Sequence, residues 1–191
     1  MERNGVGIDS GYLKNLSDIF ISKMEPIQIN IFKLAGEEFN ISSPKQLGEI
    51  LYNKLGLKGG KKGKSGLYST SAAVLEKLGQ DGNEICKLIL NWRALQKLKS
   101  TYSDALVDQI NSATGRVHTH FQMTGAMTGR FSSSNPNLQN IPIKSEDGRA
   151  IRRAFISQKG MKIVACDYSQ IELRLLAEVA NIKPLIEAFK N

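Results

Sequence analysis

The feature that most constrains this chain lies near its end, where the apolar run Lys162-Ile163-Val164-Ala165-Cys166 delivers an acid, Asp167, and Ser169 follows two residues later. A short apolar run of this kind reads as a core strand, and the segment from Ser169 to Ala180 reads as a helix. The junction exposes Asp167 at a sheet edge. An ionised carboxylate there is costly unless paired, so its usual partners are a cationic side chain or a hard divalent metal such as Mg²⁺. A plain acid favoured by the dipole at a helix start is the other reading.

What precedes this junction is mostly helical. From about Tyr12 to Ala35 the apolar residues Leu13, Leu16, Phe20, Ile27, Ile31 and Leu34 predict a helix that Pro26 bends or breaks and Gly36 ends. Ser43-Pro44-Lys45-Gln46 supplies an N-cap, a first-turn proline and a capping-box Gln for a helix running to Leu55 and stopped by Gly56. A short helix follows Ser69-Thr70-Ser71 and ends near Gly79. A longer one, from about Asn83 to Thr101, carries Ile85, Leu88, Ile89, Trp92, Leu95 and Leu98 on its apolar side. Trp92 and Met123 are read as core residues. Helix gives way to sheet at Arg116 to Met123, which alternates as a half-buried strand. A stretch rich in Thr, Ser, Asn and Gly fills 124–140, and no internal repeat is visible.

The charge balance, 26 Lys and Arg against 18 Asp and Glu for a net +8, favours a polyanionic partner such as nucleic acid. Two regions concentrate it. Leu57 to Gly66 is a glycine- and lysine-rich stretch expected to be a mobile basic loop, and Arg93, Lys97 and Lys99 project from the long helix as a phosphate-tracking or merely solvated face. Gly63-Lys64-Ser65 is not a P-loop, because Lys58 stands where its first glycine would be and no strand precedes it. Cys86 and Cys166 stand apart with no C-x-x-C pair, so neither a disulfide framework nor a zinc site is expected and a reducing, cytoplasmic setting fits. His118 and His120 would share one face of a strand and read as sheet residues rather than metal ligands. The start, Met1-Glu2-Arg3-Asn4, lacks a basic segment followed by an apolar one, and no run approaches the roughly 18 apolar residues that span a bilayer, so a soluble, unexported protein is expected.

The run Asp167-Tyr168-Ser169-Gln170-Ile171-Glu172-Leu173-Arg174 resembles motif A of the family A DNA polymerases, the bacterial DNA polymerase I type. Thr128-Gly129-Arg130-Phe131-Ser132-Ser133, Asn135 to Pro142, Leu98-Lys99-Ser100-Thr101-Tyr102 and Gly115 to Thr119 resemble family segments in the family's order. The resemblance implies an α+β fold, with a mainly helical thumb over residues 1–115 and the opening part of an antiparallel-sheet palm over 116–191.

It also implies roles. Asp167 and the main-chain carbonyl of Tyr168 would hold the two Mg²⁺ ions of phosphoryl transfer, one activating the primer 3′-hydroxyl and the other neutralising the triphosphate. A second aspartate is expected from a later His-Asp-Glu segment, beyond Asn191, with a nucleotide-binding helix between. Glu172 would crowd the sugar 2′ position and exclude ribonucleotides, although Ser169-x-x-Glu172 also has the spacing of a capping box. Arg174 is read as an ion-pair residue or a helper of the site. Arg130 would reach the minor groove beside the primer end. Asn137, Gln139 and Asn140 would contact template or primer. Lys144 stands where the family usually places an Arg near the incoming phosphates, keeping the charge without the fork. Arg93, Lys97, Ser100 and Thr101 would line the thumb helix against duplex backbone, with Lys58 to Lys64 as the thumb tip.

The expected activity of the parent is template-directed extension of a primer from deoxynucleoside triphosphates in replication and repair, by a monomer that is cytoplasmic and nucleoid-associated. The chain as given, with one of two carboxylates, is expected not to polymerise. The rival reading is a non-enzymatic nucleic-acid-binding module in which the basic helices and loop bind and Asp167 is structural.

Overall fold

Asp9 opens the longest element: its carboxylate accepts from the Tyr12 N–H at 2.8 Å and starts α1, Ser10–Ala35. Gly36 ends it at φ 74°, returning its N–H to the Phe32 carbonyl. The computed structural model describes residues 2–63 and 66–190. Pro26 does not break α1. Its ring and the residue it deprives of a partner, Ser22, both lie on the exposed side, while Phe20, Met24 and Ile31 stay buried on either side of it. Burial of that stripe offsets the proline penalty of about 3 kcal/mol.

Ser43 caps α2, Pro44–Gly48, by accepting from Gln46 N–H, with Pro44 in the first turn as the sequence predicts. The capping box is not reciprocal. Gln46 Oε1 accepts instead from Asn40 N–H at 2.7 Å, and Ser43 N–H is taken by the Asn40 carbonyl. The helix then widens into a π-helical turn, Glu49–Lys54, before Gly56 leaves it at φ 64°. The same happens further on: α3, Ala72–Gln80, leads to α4, Glu84–Leu98, which continues as a π-helical segment, Lys99–Asp104, and a final turn α5, Ala105–Asp108. Phe20 and Ile31 of α1, Leu75 of α3, Ile89 and Trp92 of α4, and Leu106 of α5 belong to one buried cluster.

The described residues of the basic loop fold back on themselves. Lys62 bridges to Tyr68, Ser69 N–H donates to Lys61 O, and Gly63 N–H to Leu67 O. Lys62 Nζ sits 4.7 Å from the Tyr68 ring centre, and Tyr68 packs on Tyr52. Gly60 lies so close to Tyr52 that a Cβ would stand 2.6 Å from its ring. Lys64 lies outside the described residues.

The first sheet joins β1 (Val6–Ile8), β2 (Ile110–Asn111), β3 (Arg116–Val117) and β6 (Phe155–Ile156) in the antiparallel order β2-β3-β1-β6, with Val6 opposite Val117 and Gly7 opposite Ile156. The second pairs β4 (His120–Gln122) with β5 (Ser132–Ser134), Phe121 opposite Ser133. The single strand predicted over 116–123 is therefore two, because Val117 is buried in one sheet while Thr119 turns its hydroxyl into the 133–136 loop. His118 consequently lies in the connection between β3 and β4, and His120 begins β4. His118 bonds Thr114 Oγ1 and the Glu2 carbonyl, whereas His120 Nδ1 stands 3.2 Å from the Glu2 carboxylate. Met123 falls past the end of β4 and is exposed rather than core.

A short helix α6, Glu146–Arg152, precedes β6. One compact unit runs through Ile156 and a second begins at Ser157. The second contains α7 (Ile171–Val179) and α8 (Lys183–Ala188). The predicted core strand over 162–166 is not formed: the run belongs to neither sheet, and Val164 is 81% exposed. An apolar run becomes a core strand only where another strand accepts its main-chain N–H and C=O groups, and the described residues offer none.

Candidate functional site

The most organised polar region surrounds the 132–144 segment. Thr119 and Ser133 are buried, and their hydroxyls bond one another. Thr119 Oγ1 also meets the Pro136 carbonyl at 2.8 Å, and Ser133 Oγ accepts from Leu138 N–H at 3.0 Å. Leu138 packs against the core. With its interior satisfied in this way, the loop turns Asn137, Gln139 and Asn140 outward, and all three are exposed.

Two of these amides have a fixed polarity. Asn137 Oδ1 accepts from Gln139 N–H at 3.0 Å, and Gln139 Oε1 accepts from Ser133 N–H at 3.1 Å. A main-chain N–H can only donate, so it must face the amide oxygen and leaves each NH₂ group directed elsewhere. The loop therefore offers hydrogen-bond donors, the complement of an acceptor-lined partner.

The chain beyond it is held by side chains. Tyr102, buried at the end of the long helix, donates its hydroxyl to the Asn140 carbonyl. Arg152 donates to the carbonyls of Ile141 (2.9 Å) and Pro142 (3.2 Å), and Arg149 Nη1 to those of Ile143 and Lys144. The Lys144 side chain is exposed. Burial pushes the Tyr102 phenol up from its ordinary value, so it stays a neutral donor.

The helical candidates separate. Arg93 is half-buried, donates to the Thr70 carbonyl at 2.7 Å, and has its pKa lowered by burial. Ser100 returns its hydroxyl to the Gln96 carbonyl. Lys99 is paired with Asp104 at 2.6 Å, while Lys97 and Thr101 are exposed. Arg130 follows Gly129, at φ 72°, in an exposed loop.

In the second unit, Asp167 and Tyr168 are exposed in a segment without regular structure, not at a sheet edge. Gln170, at φ 53°, is the N-cap of α7, so the helix starts one residue later than a Ser169 cap requires. Glu172 falls at the second helical position rather than the third, which removes the capping-box geometry. Arg174 fixes this turn: its Nε donates to Ser169 O at 3.0 Å, and its guanidinium lies 4.6 Å from the Phe189 ring centre. These contacts give Arg174 a structural role, with main-chain and ring partners among the described residues.

The carboxylate of Asp167 and the adjacent carbonyl are hard oxygen donors of the kind Mg²⁺ prefers. Among the described residues, no three His, Cys, Asp or Glu side chains gather to hold a metal. The donor set fits Mg²⁺ in type and supplies part of its shell. Sequence reasoning missed Tyr102, Arg149 and Arg152 as determinants of this region. The available signal was two arginines three apart on a short helix following a proline-containing loop whose carbonyls cannot pair in a ladder.

The exposed amides of the 137–140 loop, with their oxygens held by main-chain N–H groups and Lys144 exposed close by in sequence, suit a partner rich in hydrogen-bond acceptors and negative charge. The chain matches the model of DNA polymerase family A over residues 10–191 and belongs to that family. Among its relatives, the DNA polymerase I of Rhizobium leguminosarum is 51% identical over 191 residues, all of this chain and 19% of that protein. The thermostable DNA polymerase I of Thermus aquaticus is 49% identical over 192 residues, covering 100% of this chain and 23% of that one. In structure it resembles the POL domain of Pol1 from M. smegmatis, solved in complex with DNA primer-template and dNTP. The TM-score is 0.84 at 38% identity, over 97% of this chain and 33% of the other. The chain thus spans about a fifth of the curated relatives it matches. No described helix is long and apolar enough to cross a membrane.

Proposed function

We propose that this chain is the thumb (residues 1–115) and opening palm (116–191) of a DNA-directed DNA polymerase, and that its own contribution is to grip primer-template DNA and present the first catalytic carboxylate. The observation that carries the reading is the internal anchoring of Asn137 and Gln139, which leaves their NH₂ groups as outward donors. The minor-groove edge of every base pair offers the acceptors purine N3 and pyrimidine O2, so a donor platform registers a correctly shaped pair without reading sequence. Arg130, in the neighbouring loop, adds a donor of the same kind, and Asn140 presents a further amide. Lys97 and Thr101, with Lys58, Lys61 and Lys62 on the folded-back loop, meet the phosphate backbone.

Asp167, with the Tyr168 carbonyl, is the hard-oxygen end of a Mg²⁺ site completed by further ligands. When bound there, the metal lowers the pKa of the primer hydroxyl and neutralises triphosphate charge. Glu172, in the first turn of α7, stands five residues after Asp167, with Arg174 bracing the turn between them. In this position its carboxylate crowds the sugar 2′ carbon and disfavours a ribonucleotide. Lys144 supplies a point charge to the incoming phosphates.

The test is titration of the 191-residue chain with a fluorescent primer-template at several salt concentrations. Binding is expected to weaken steeply with salt, and to be stronger for primer-template than for single strands. Binding that is indifferent to salt, or no binding at all, overturns the reading.

A further inference from the structure

We propose that Tyr102, Arg149 and Arg152 are positioning residues that clamp the main chain from Asn140 to Lys144 in one conformation, so that the side chains at its two ends meet DNA and nucleotide in register. The inference rests on the DNA-binding reading for its purpose, but not for its geometry.

Five successive carbonyls accept hydrogen bonds from just three side chains. The segment is not part of a strand or helix, and Pro142 has no N–H to give, so no ladder can hold it. The side chains replace the ladder. Arg152 uses two nitrogens on adjacent carbonyls, a fork that lysine cannot reproduce, and Arg149 places one nitrogen between two more. Both arginines lie on α6, which is fixed from below by the fully buried Ile151 and capped by Ser145. Tyr102 comes from the other direction, at the π-helical end of the α4 helix, so the clamp links that helix to the loop. A π-helical turn at this point rotates Tyr102 relative to a continued α-helix and is a frequent device at functional sites.

Exposed arginines in a DNA-binding protein would otherwise be taken for phosphate contacts, and the two roles are separable. The experiment compares Tyr102→Phe, Arg152→Lys and Arg152→Ala in the whole 191-residue chain, measuring ¹⁵N order parameters without DNA and primer-template affinity across salt concentrations. A clamp predicts that Tyr102→Phe and Arg152→Lys each loosen residues 140–144, from order parameters of about 0.85 toward about 0.6. Each should weaken primer-template binding about two- to tenfold with the salt slope unchanged. Two results overturn it: order and affinity retained in Arg152→Lys, or order retained in Arg152→Ala while the salt slope falls by about one. Loosening without loss of affinity also overturns the positioning role. If the unaltered chain binds no DNA, the functional reading fails, while the order parameters still decide whether the clamp exists.

Discussion

Gln139 gives its side-chain oxygen to the main-chain N–H of Ser133 at 3.1 Å, and so turns its NH₂ group outward. Replacing the amide by a carboxylate tests this polarity. Gln139→Glu keeps an acceptor for Ser133 but removes the donor and adds a negative charge toward DNA. Primer-template affinity should fall by about tenfold or more, while Gln139→Ala loses both ends and weakens folding as well. Fluorescence anisotropy and a urea titration on the same samples separate the two effects.

Arg93 and Lys97 belong to the same helix and should behave differently. Arg93 spends its guanidinium on the Thr70 carbonyl, whereas Lys97 is exposed. Lys97→Ala should lower the slope of log K against log salt by about 0.9 with no change in stability. Arg93→Ala should leave the slope and cost roughly 1–3 kcal/mol in chemical denaturation, as an orphaned buried carbonyl does.

Thr119→Val removes a hydroxyl that meets Ser133 Oγ and the carbonyls of Ser134 and Pro136 without changing side-chain volume much. The buried partners lose their donor, so destabilisation of about 1–3 kcal/mol is expected from urea midpoints. The loop should loosen while α1 and α4 keep their protection against hydrogen exchange.

These contrasts also mark what the sequence could reveal. Helix starts at Asp9 and Ser43 and the stop at Gly36 follow from local chemistry, since caps and left-handed glycines act within one turn. The run 162–166 misled because strand character depends on a partner strand, which no local pattern contains. Arg93 looked like a surface cation because periodicity cannot register a carbonyl twenty-three residues away. The donor polarity of Asn137 and Gln139 is set by main-chain N–H groups only two and six residues away, but it depends on how the irregular loop turns, which a helix or strand period does not describe.

The two cysteines should differ sharply. Cys86 is fully buried, and burial pushes its thiol up to about 11, while Cys166 is exposed. A disulfide reagent at pH 8 should titrate one thiol in the folded chain and two after unfolding. The raised pKa also has a sign for stability. Between the ordinary thiol value near 9 and the folded value near 11, the folded chain holds a proton that the unfolded chain releases, so stability is lost as pH rises through that window. Cys86→Ala should remove that part of the alkaline decline, read from urea midpoints at pH 8 and pH 10.5.

Asp167 stands exposed, and the proposed Mg²⁺ site draws only this carboxylate and the Tyr168 carbonyl from the chain, so the chain's hold on Mg²⁺ should be weak. Chemical shifts of residues 166–169 should move with Mg²⁺ only at high concentration, and Asp167→Asn should abolish the movement. Because two-metal chemistry needs both ions clamped about the reacting oxygens, this chain alone should bind primer-template without extending it. A gel assay with labelled primer and all four deoxynucleoside triphosphates checks this. Extension that survives Asp167→Asn would trace to a contaminant, whereas extension lost with Asp167→Asn would mean that the 191 residues assemble a complete metal site, contrary to the reading of Asp167 as one part of it.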